Sequence, residues 1–147
     1  MSVFEYNFEQ YKSLSPDLYR KEKYNLQVEL LKLQEDVIKK KRKIAICFEG
    51  RDTAGKSSTI NFFSEHLIPS NFNYVHLGIP TKKERKNWFE RYETFLPNKG
   101  QIVLFDRSWY TRALTEPTLG YCSKKQYEEF MTKVNKWERS LVKKGTE

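Results

Sequence analysis

This chain has little of what marks several protein classes. It carries two cysteines in 147 residues, Cys47 and Cys122, far apart and without the paired Cys/His spacing of a metal site. A disulfide scaffold and a zinc module are therefore excluded, and both thiols are expected reduced. Histidine is as sparse: His66 and His76 are the two present, each isolated, and no chemistry is expected of either. No uninterrupted apolar run approaches the roughly 20 residues that a membrane-spanning helix needs, so a membrane protein is not expected. Residues 1–10 lack a basic start followed by an apolar stretch, which gives no secretory signal and points to a cytoplasmic location. There is no internal repeat and no low-complexity segment. The length suits one core, near the low end for a nucleotide-binding α/β domain.

Acidic residues are the minority charge. Lys and Arg number 27 against 19 Asp and Glu, a net charge of +8, which suits a polyanionic partner without naming one. The densest run, Lys39, Lys40, Lys41, Arg42 and Lys43, is read as a solvated helix end favoured by the helix dipole.

Glycine is scarce too, at six residues, yet two of them define the most informative segment. Gly50, Arg51, Asp52, Thr53, Ala54, Gly55, Lys56 and Ser57 fit the pattern G-x-x-x-x-G-K-[ST] at every fixed position. In that pattern glycines let backbone N–H groups curl around a phosphate, the lysine reaches its outer oxygens, and the hydroxyl can hold Mg²⁺. The context agrees: a strand-like run over 44–48 precedes the loop. A helical stretch with Ile60, Phe63 and Leu67 at 3 and 4 spacing follows it. Gly50, Arg51, Ala54, Gly55, Lys56, Ser57 and Ser58 are the candidate phosphate-binding residues.

The remaining pattern alternates helix and strand. Ser15 and Pro16 read as N-cap and first residue of a helix over 15–41, with Leu26, Leu30, Leu33 and Val37 as its packing stripe. Residues 74–77 read as a second strand. Thr81 to Glu84 form a capping box that opens a helix carrying Trp88, Phe89, Tyr92, Phe95 and Leu96 toward the core. Residues 101–105 read as a third strand closed by Asp106, and a second capping box at Ser123 and Gln126 opens a helix with Phe130, Val134, Trp137 and Leu141. Strands separated by helices imply a parallel, doubly wound α/β sheet in a single domain.

An acidic residue ending a strand downstream of a phosphate loop is where such enzymes hold Mg²⁺, so Asp106 is a candidate ligand. Arg107 and Arg112 follow it and could neutralise phosphoryl oxygens. The alternative is that they pair with carboxylates such as Glu116. Asp52 inside the loop is unusual beside phosphates unless a metal intervenes; its alternative role is to cap the loop backbone.

Taken together, the segment from Phe48 through the loop, Pro80-Thr81 with Glu84, Trp88 to Tyr92, Phe105-Asp106-Arg107-Ser108-Trp109-Tyr110 with Arg112, and Glu116 to Tyr121 resemble the successive motifs of the polyphosphate kinase 2 family. The likeness covers about residues 15–145. It implies a P-loop, thymidylate-kinase-like fold. The implied activity is Mg²⁺-dependent phosphoryl transfer between inorganic polyphosphate and a nucleotide such as AMP, ADP or GDP. Carried over by position, Lys56 would stabilise the moving phosphoryl group, Asp52 and Asp106 would hold metal and orient the acceptor, Arg107 and Arg112 would grip phosphates, and Glu116 would complete the metal environment. A homo-oligomer is expected, with neither nucleic acid nor membrane as partner. Ser57-Ser58 stands where many members have Gly-Gly, which keeps the hydroxyl.

The family pattern continues past Glu147 with a further strand, a basic lid and a closing helix. These residues are therefore expected to correspond to the N-terminal half or so of a catalytic domain, and not to turn over alone. Two other readings remain open: an ATP-dependent nucleoside monophosphate kinase, and a non-catalytic anion-binding module.

Overall fold

The computed structural model describes residues 14–147. Helix α1 (Pro16–Lys40) begins where Ser15 accepts a hydrogen bond from the Leu18 N–H and Pro16 supplies a preset φ. It ends at Lys41, which turns left-handed at φ 53°. Strand β1 (Lys43–Phe48) leads to the glycine loop and helix α2 (Lys56–Ser64). Then come β2 (Phe72–Val75), the short helices α3 (Lys82–Lys86) and α4 (Glu90–Glu93), β3 (Gln101–Asp106), the single turn α5 (Thr115–Thr118) and the long α6 (Lys124–Lys143).

The three strands form one parallel sheet in the order β1-β3-β2. Lys43 faces Gln101 and Phe48 faces Asp106 across the first pair, while Phe72 faces Ile102 and Val75 faces Phe105 across the second. Central β3 is apolar from Ile102 to Phe105 because both its faces are covered there, as parallel strands require. Alternation along it divides the core. Ile102 and Leu104 point to Val37 of α1 and Ile60 of α2. Val103 and Phe105 point to Trp88, Tyr92, Trp109, Phe130 and Val134, an aromatic cluster under α6. Helices thus cover both faces, as the sequence pattern suggests, and the fully buried β3 side chains contribute about 1.5–3 kcal/mol each.

Three expectations shift in detail. The buried face of α1 is Gln27, Gln34 and Val37, whereas Leu26 is exposed. Gln34 is buried because its amide serves Ile68, donating to its carbonyl at 3.0 Å and accepting from its N–H at 2.6 Å. Strand β2 begins two residues before the expected 74–77 span, since its pairing partners on β3 start at Ile102. The helix opened by Thr81 breaks into α3 and α4 around Asn87, and Phe95 stays exposed while Trp88 and Tyr92 reach the core.

The free edge of β1 meets the last residues of the chain. Lys43 bridges Thr146 in parallel, the Glu147 N–H donates to the Lys43 carbonyl at 2.8 Å, and the Ala45 N–H donates to the Glu147 carbonyl at 2.9 Å. Arg42 anchors this corner with 2.8 Å bonds to Asp36 and Glu147. The Lys40 ammonium, 2.6 Å from Asp36, and then Arg42 hold the Asp36 carboxyl below its usual 3.8, and Arg42 holds Glu147 below its usual 4.5.

Replacing Gln34 by Ala removes the side-chain partner of the Ile68 N–H and carbonyl, and the expected loss is about 1–3 kcal/mol, read from urea unfolding. For the Arg42 corner the sign follows from the lowered values: its contribution is present above the usual carboxylate range and fades as pH falls through it. Arg42→Ala is therefore expected to flatten the acid limb of a stability-against-pH profile, with little change in its slope above neutrality.

Candidate active site

The chemistry-bearing residues gather at the C-terminal edge of the sheet, where β1 and β3 deliver their last residues side by side. Gly50 sits at φ +155°, and a Cβ there would come within 3.3 Å of the Ala54 methyl. Gly55 takes φ +84° as the N-cap of α2. Both positions suit glycine for conformational or close-approach reasons. Residues 51–55 are exposed and lead into the positive end of α2. Lys56 folds over the loop, its Nζ donating to the carbonyls of Gly50 at 3.1 Å and Arg51 at 2.8 Å. Ser57 and Ser58 occupy the first turn of α2.

Asp106 is 4% exposed and shares the face of β3 that carries Ile102 and Leu104. Alternation therefore aims it at the start of α2, where the Ser57 hydroxyl donates to its Oδ2 at 3.0 Å. The same oxygen accepts from the Tyr74 phenol at 2.9 Å. His76 Nδ1 stands 3.8 Å from it. The histidine of which no chemistry was expected thus borders the site.

Arg107 leaves β3 with φ +65°, a left-handed turn costly for a residue with a Cβ. Its guanidinium reaches Thr115 at 3.1 Å and forms an ion pair with Asp52. Asp52 is otherwise open to solvent, its side chain 88% exposed. Arg112 and Glu116 form a separate pair, Nε to Oε2 at 2.7 Å, with both side chains buried. The N–H does not aim along that line, so neither atom has a well-directed hydrogen bond among the described residues. Burial draws each group toward its neutral form and each partner's charge opposes this for the other. The Arg112 guanidinium also lies 4.0 Å from the Trp88 ring centroid.

Asp52, Asp106, Arg107 and Glu116 all border a cavity of about 310 Å³ closed by Arg85, Trp88, Arg91 and Tyr92, with Leu77, Ile79, Leu119 and Tyr121 around it. Arg112 and Lys56 are not among its lining residues. Asp52 and Arg107 therefore stand between the loop and the cavity. Among the described residues no three His, Cys, Asp or Glu side chains gather closely enough to hold a metal by themselves. Glu116 shares the cavity with Asp106, but its ion-pair partner is Arg112.

Sequence reasoning missed Glu49, whose carboxylate accepts from the Ser108 N–H at 2.6 Å and the Ser108 hydroxyl at 2.7 Å. That contact fixes the loop's entrance to the turn after Asp106. Glu138 of α6 likewise accepts from Trp109 at 2.8 Å and from Tyr110. No periodicity marks either residue, and Tyr74 meets Asp106 through the register of β2 against β3.

The family model of polyphosphate kinase 2 matches residues 13–147. The chain belongs to the polyphosphate kinase 2 family. A GDP-polyphosphate phosphotransferase of Pseudomonas aeruginosa is 46% identical over 128 residues, covering 86% of this chain and 36% of that protein. An ADP-polyphosphate phosphotransferase of the same organism is 44% identical over 133 residues, 90% of this chain and 44% of that one. The crystal structure of polyphosphate kinase 2 from Arthrobacter aurescens matches with a TM-score of 0.83 over 99% of this chain and 54% of its own, at 21% identity, which shows the fold alone. The chain spans less than half the length of these curated relatives. Both cysteines are free, as expected, and no helix among the described residues is long and apolar enough to cross a membrane.

Removing the Glu49 carboxylate leaves the fully buried Ser108 without its acceptor. Glu49→Ala is expected to lose about 1–3 kcal/mol in chemical unfolding, and Glu49→Gln, which keeps an acceptor oxygen, to recover part of it.

Proposed function

We propose that these residues form the phosphate-handling part of a polyphosphate:nucleotide phosphotransferase that moves a phosphoryl group between inorganic polyphosphate and a nucleoside mono- or diphosphate. The observation that carries this reading is the junction at Asp52 and Arg107, where an exposed phosphate loop and a separate cavity of about 310 Å³ share charged walls. Two anionic substrates need two adjoining sites, and phosphoryl transfer asks the protein mainly for positioning and charge neutralisation. Names of relatives acting on GDP and ADP support a diphosphate acceptor.

The geometry supports a division of roles. The loop N–H groups and Lys56 neutralise the phosphate chain, with Lys56 leaving its loop carbonyls to do so. Arg107 bridges toward the cavity and answers charge on the transferring group. Arg112, locked against Glu116 and Trp88, supports the cavity wall from behind, so its grip on phosphate is indirect in this reading.

The donor set fits Mg²⁺: a hard cation that keeps waters needs only one or two carboxylates beside substrate oxygens. Asp106 and the Ser57 hydroxyl already converge, and Asp52 lies across the loop. Bound there, the ion would neutralise phosphoryl oxygens. Glu116 would join only by exchanging Arg112, so its part in the metal environment is the weakest carry-over. The setting is proposed to be cytoplasmic, in keeping with two free thiols, and assembly into homo-oligomers is a further expectation for light scattering to check.

Because Asp52 and the loop are open to water and transfer needs water excluded, the 147-residue chain alone is proposed to bind these anions with little turnover. The test is binding of long-chain polyphosphate and of ADP or GDP in Mg²⁺, followed by chromatography of any nucleotide product. Saturable binding of both is expected. Lys56→Ala should weaken polyphosphate binding about tenfold or more, the worth of one charge-assisted contact, and lower any turnover on the order of 10²-fold. Transfer from ATP to AMP that ignores polyphosphate would replace this reading by a nucleoside monophosphate kinase. Polyphosphate binding that Lys56→Ala leaves unchanged would sink the assignment of the loop.

A further inference from the structure

The two oxygens of Asp106 are unequal. Oδ2 accepts from two hydroxyls, Ser57 at 3.0 Å and Tyr74 at 2.9 Å, while Oδ1 makes no hydrogen bond among the described residues. The cause is strand alternation. Tyr74 faces Leu104 across the sheet, so its side chain emerges on the face of Asp106, one pleat back along β2. Its ring is 49% exposed, which makes core packing a small part of what Tyr74 does; its hydroxyl is the one polar atom that β2 sends to this carboxylate within hydrogen-bond reach. His76, next along the same face, stops at 3.8 Å.

The oxygens of a carboxylate as buried as Asp106 need donors. Two donors on one oxygen fix the rotation of the group and leave the other oxygen uncommitted. We propose that Tyr74 is a positioning residue for the cation site: by holding Oδ2 it presents Oδ1 of Asp106 to the divalent ion. This rests on the reading of Asp106 as a cation-holding residue. Partners of this kind orient a ligand without touching the ion, and their loss typically costs 10–100-fold in metal affinity.

The experiment titrates the chain with MnCl₂ alone and follows free Mn²⁺ by electron paramagnetic resonance, so that no turnover is needed. Tyr74→Phe removes only a hydroxyl from a half-exposed ring, and its metal-free unfolding midpoint should stay close to the parent's. Its Mn²⁺ dissociation constant is expected to rise about tenfold. Tyr74→Leu, which also lacks the donor, should repeat the shift. Asp106→Asn separates the two levels of the argument. If it leaves Mn²⁺ binding intact, Asp106 does not hold the ion and the inference falls with that reading. If Asp106→Asn weakens binding while both Tyr74 variants match the parent, the cation site stands and the role given to Tyr74 is overturned.

Discussion

A strand buried on both faces can carry a charge only at its end, and only if neighbouring elements meet that charge with donors. Strand β3 is such a strand, and Asp106 is its end. The Ser57 hydroxyl and the Tyr74 phenol supply those donors. Alternation gives Asp106 the face shared with α2, so the hydroxyl of Ser57 reaches it, and the parallel pairing with β1 brings Phe48 alongside. The loop that follows β1 therefore starts next to the turn that follows β3. Glu49 and Ser108 close that gap with two hydrogen bonds.

The aromatic face of the sheet plays a different part. Trp88, Tyr92, Trp109 and Phe130 fill the space between β3 and α6, and two of them tie down the backbone after Asp106: Trp88 donates to the Trp109 carbonyl and Tyr92 to the Ser108 carbonyl, each at 3.0 Å. A rigid hydrophobic wall thus holds an otherwise irregular turn in place. Arg112 shows the cost of building a charge into that wall. Burial works against its charge and the carboxylate of Glu116 opposes that effect. Sequence reasoning weighed phosphate binding against carboxylate pairing for both arginines; Arg112 took the carboxylate, while Arg107 faces the cavity with Asp52 as its partner.

Membership of the polyphosphate kinase 2 family joins these observations without replacing them. The excess of positive charge, the exposed loop and the adjoining cavity are each ambiguous alone. The side chains that separate the loop from the cavity, Asp52 and Arg107, are paired across that boundary.

Local signals in the chain were enough for the caps, the strands and the glycine loop. Ser15, Thr81 and Ser123 cap where their side chains meet backbone N–H groups three residues on, and a rule confined to four residues needs no distant information. The loop is equally local, because its conformation depends on glycine at Gly50 and Gly55. Tertiary structure decided the rest. Gln34 is buried because Ile68, distant in sequence, needs both its backbone groups answered. The helix after Thr81 breaks because Trp88 and Tyr92 must reach β3 while their backbone follows the cavity rim. Above all, sequence could nominate Asp106 but not the contacts of each oxygen. That depends on Ser57 and Tyr74 arriving from two other elements, and only the register of β2 against β3 brings the phenol within hydrogen-bond reach.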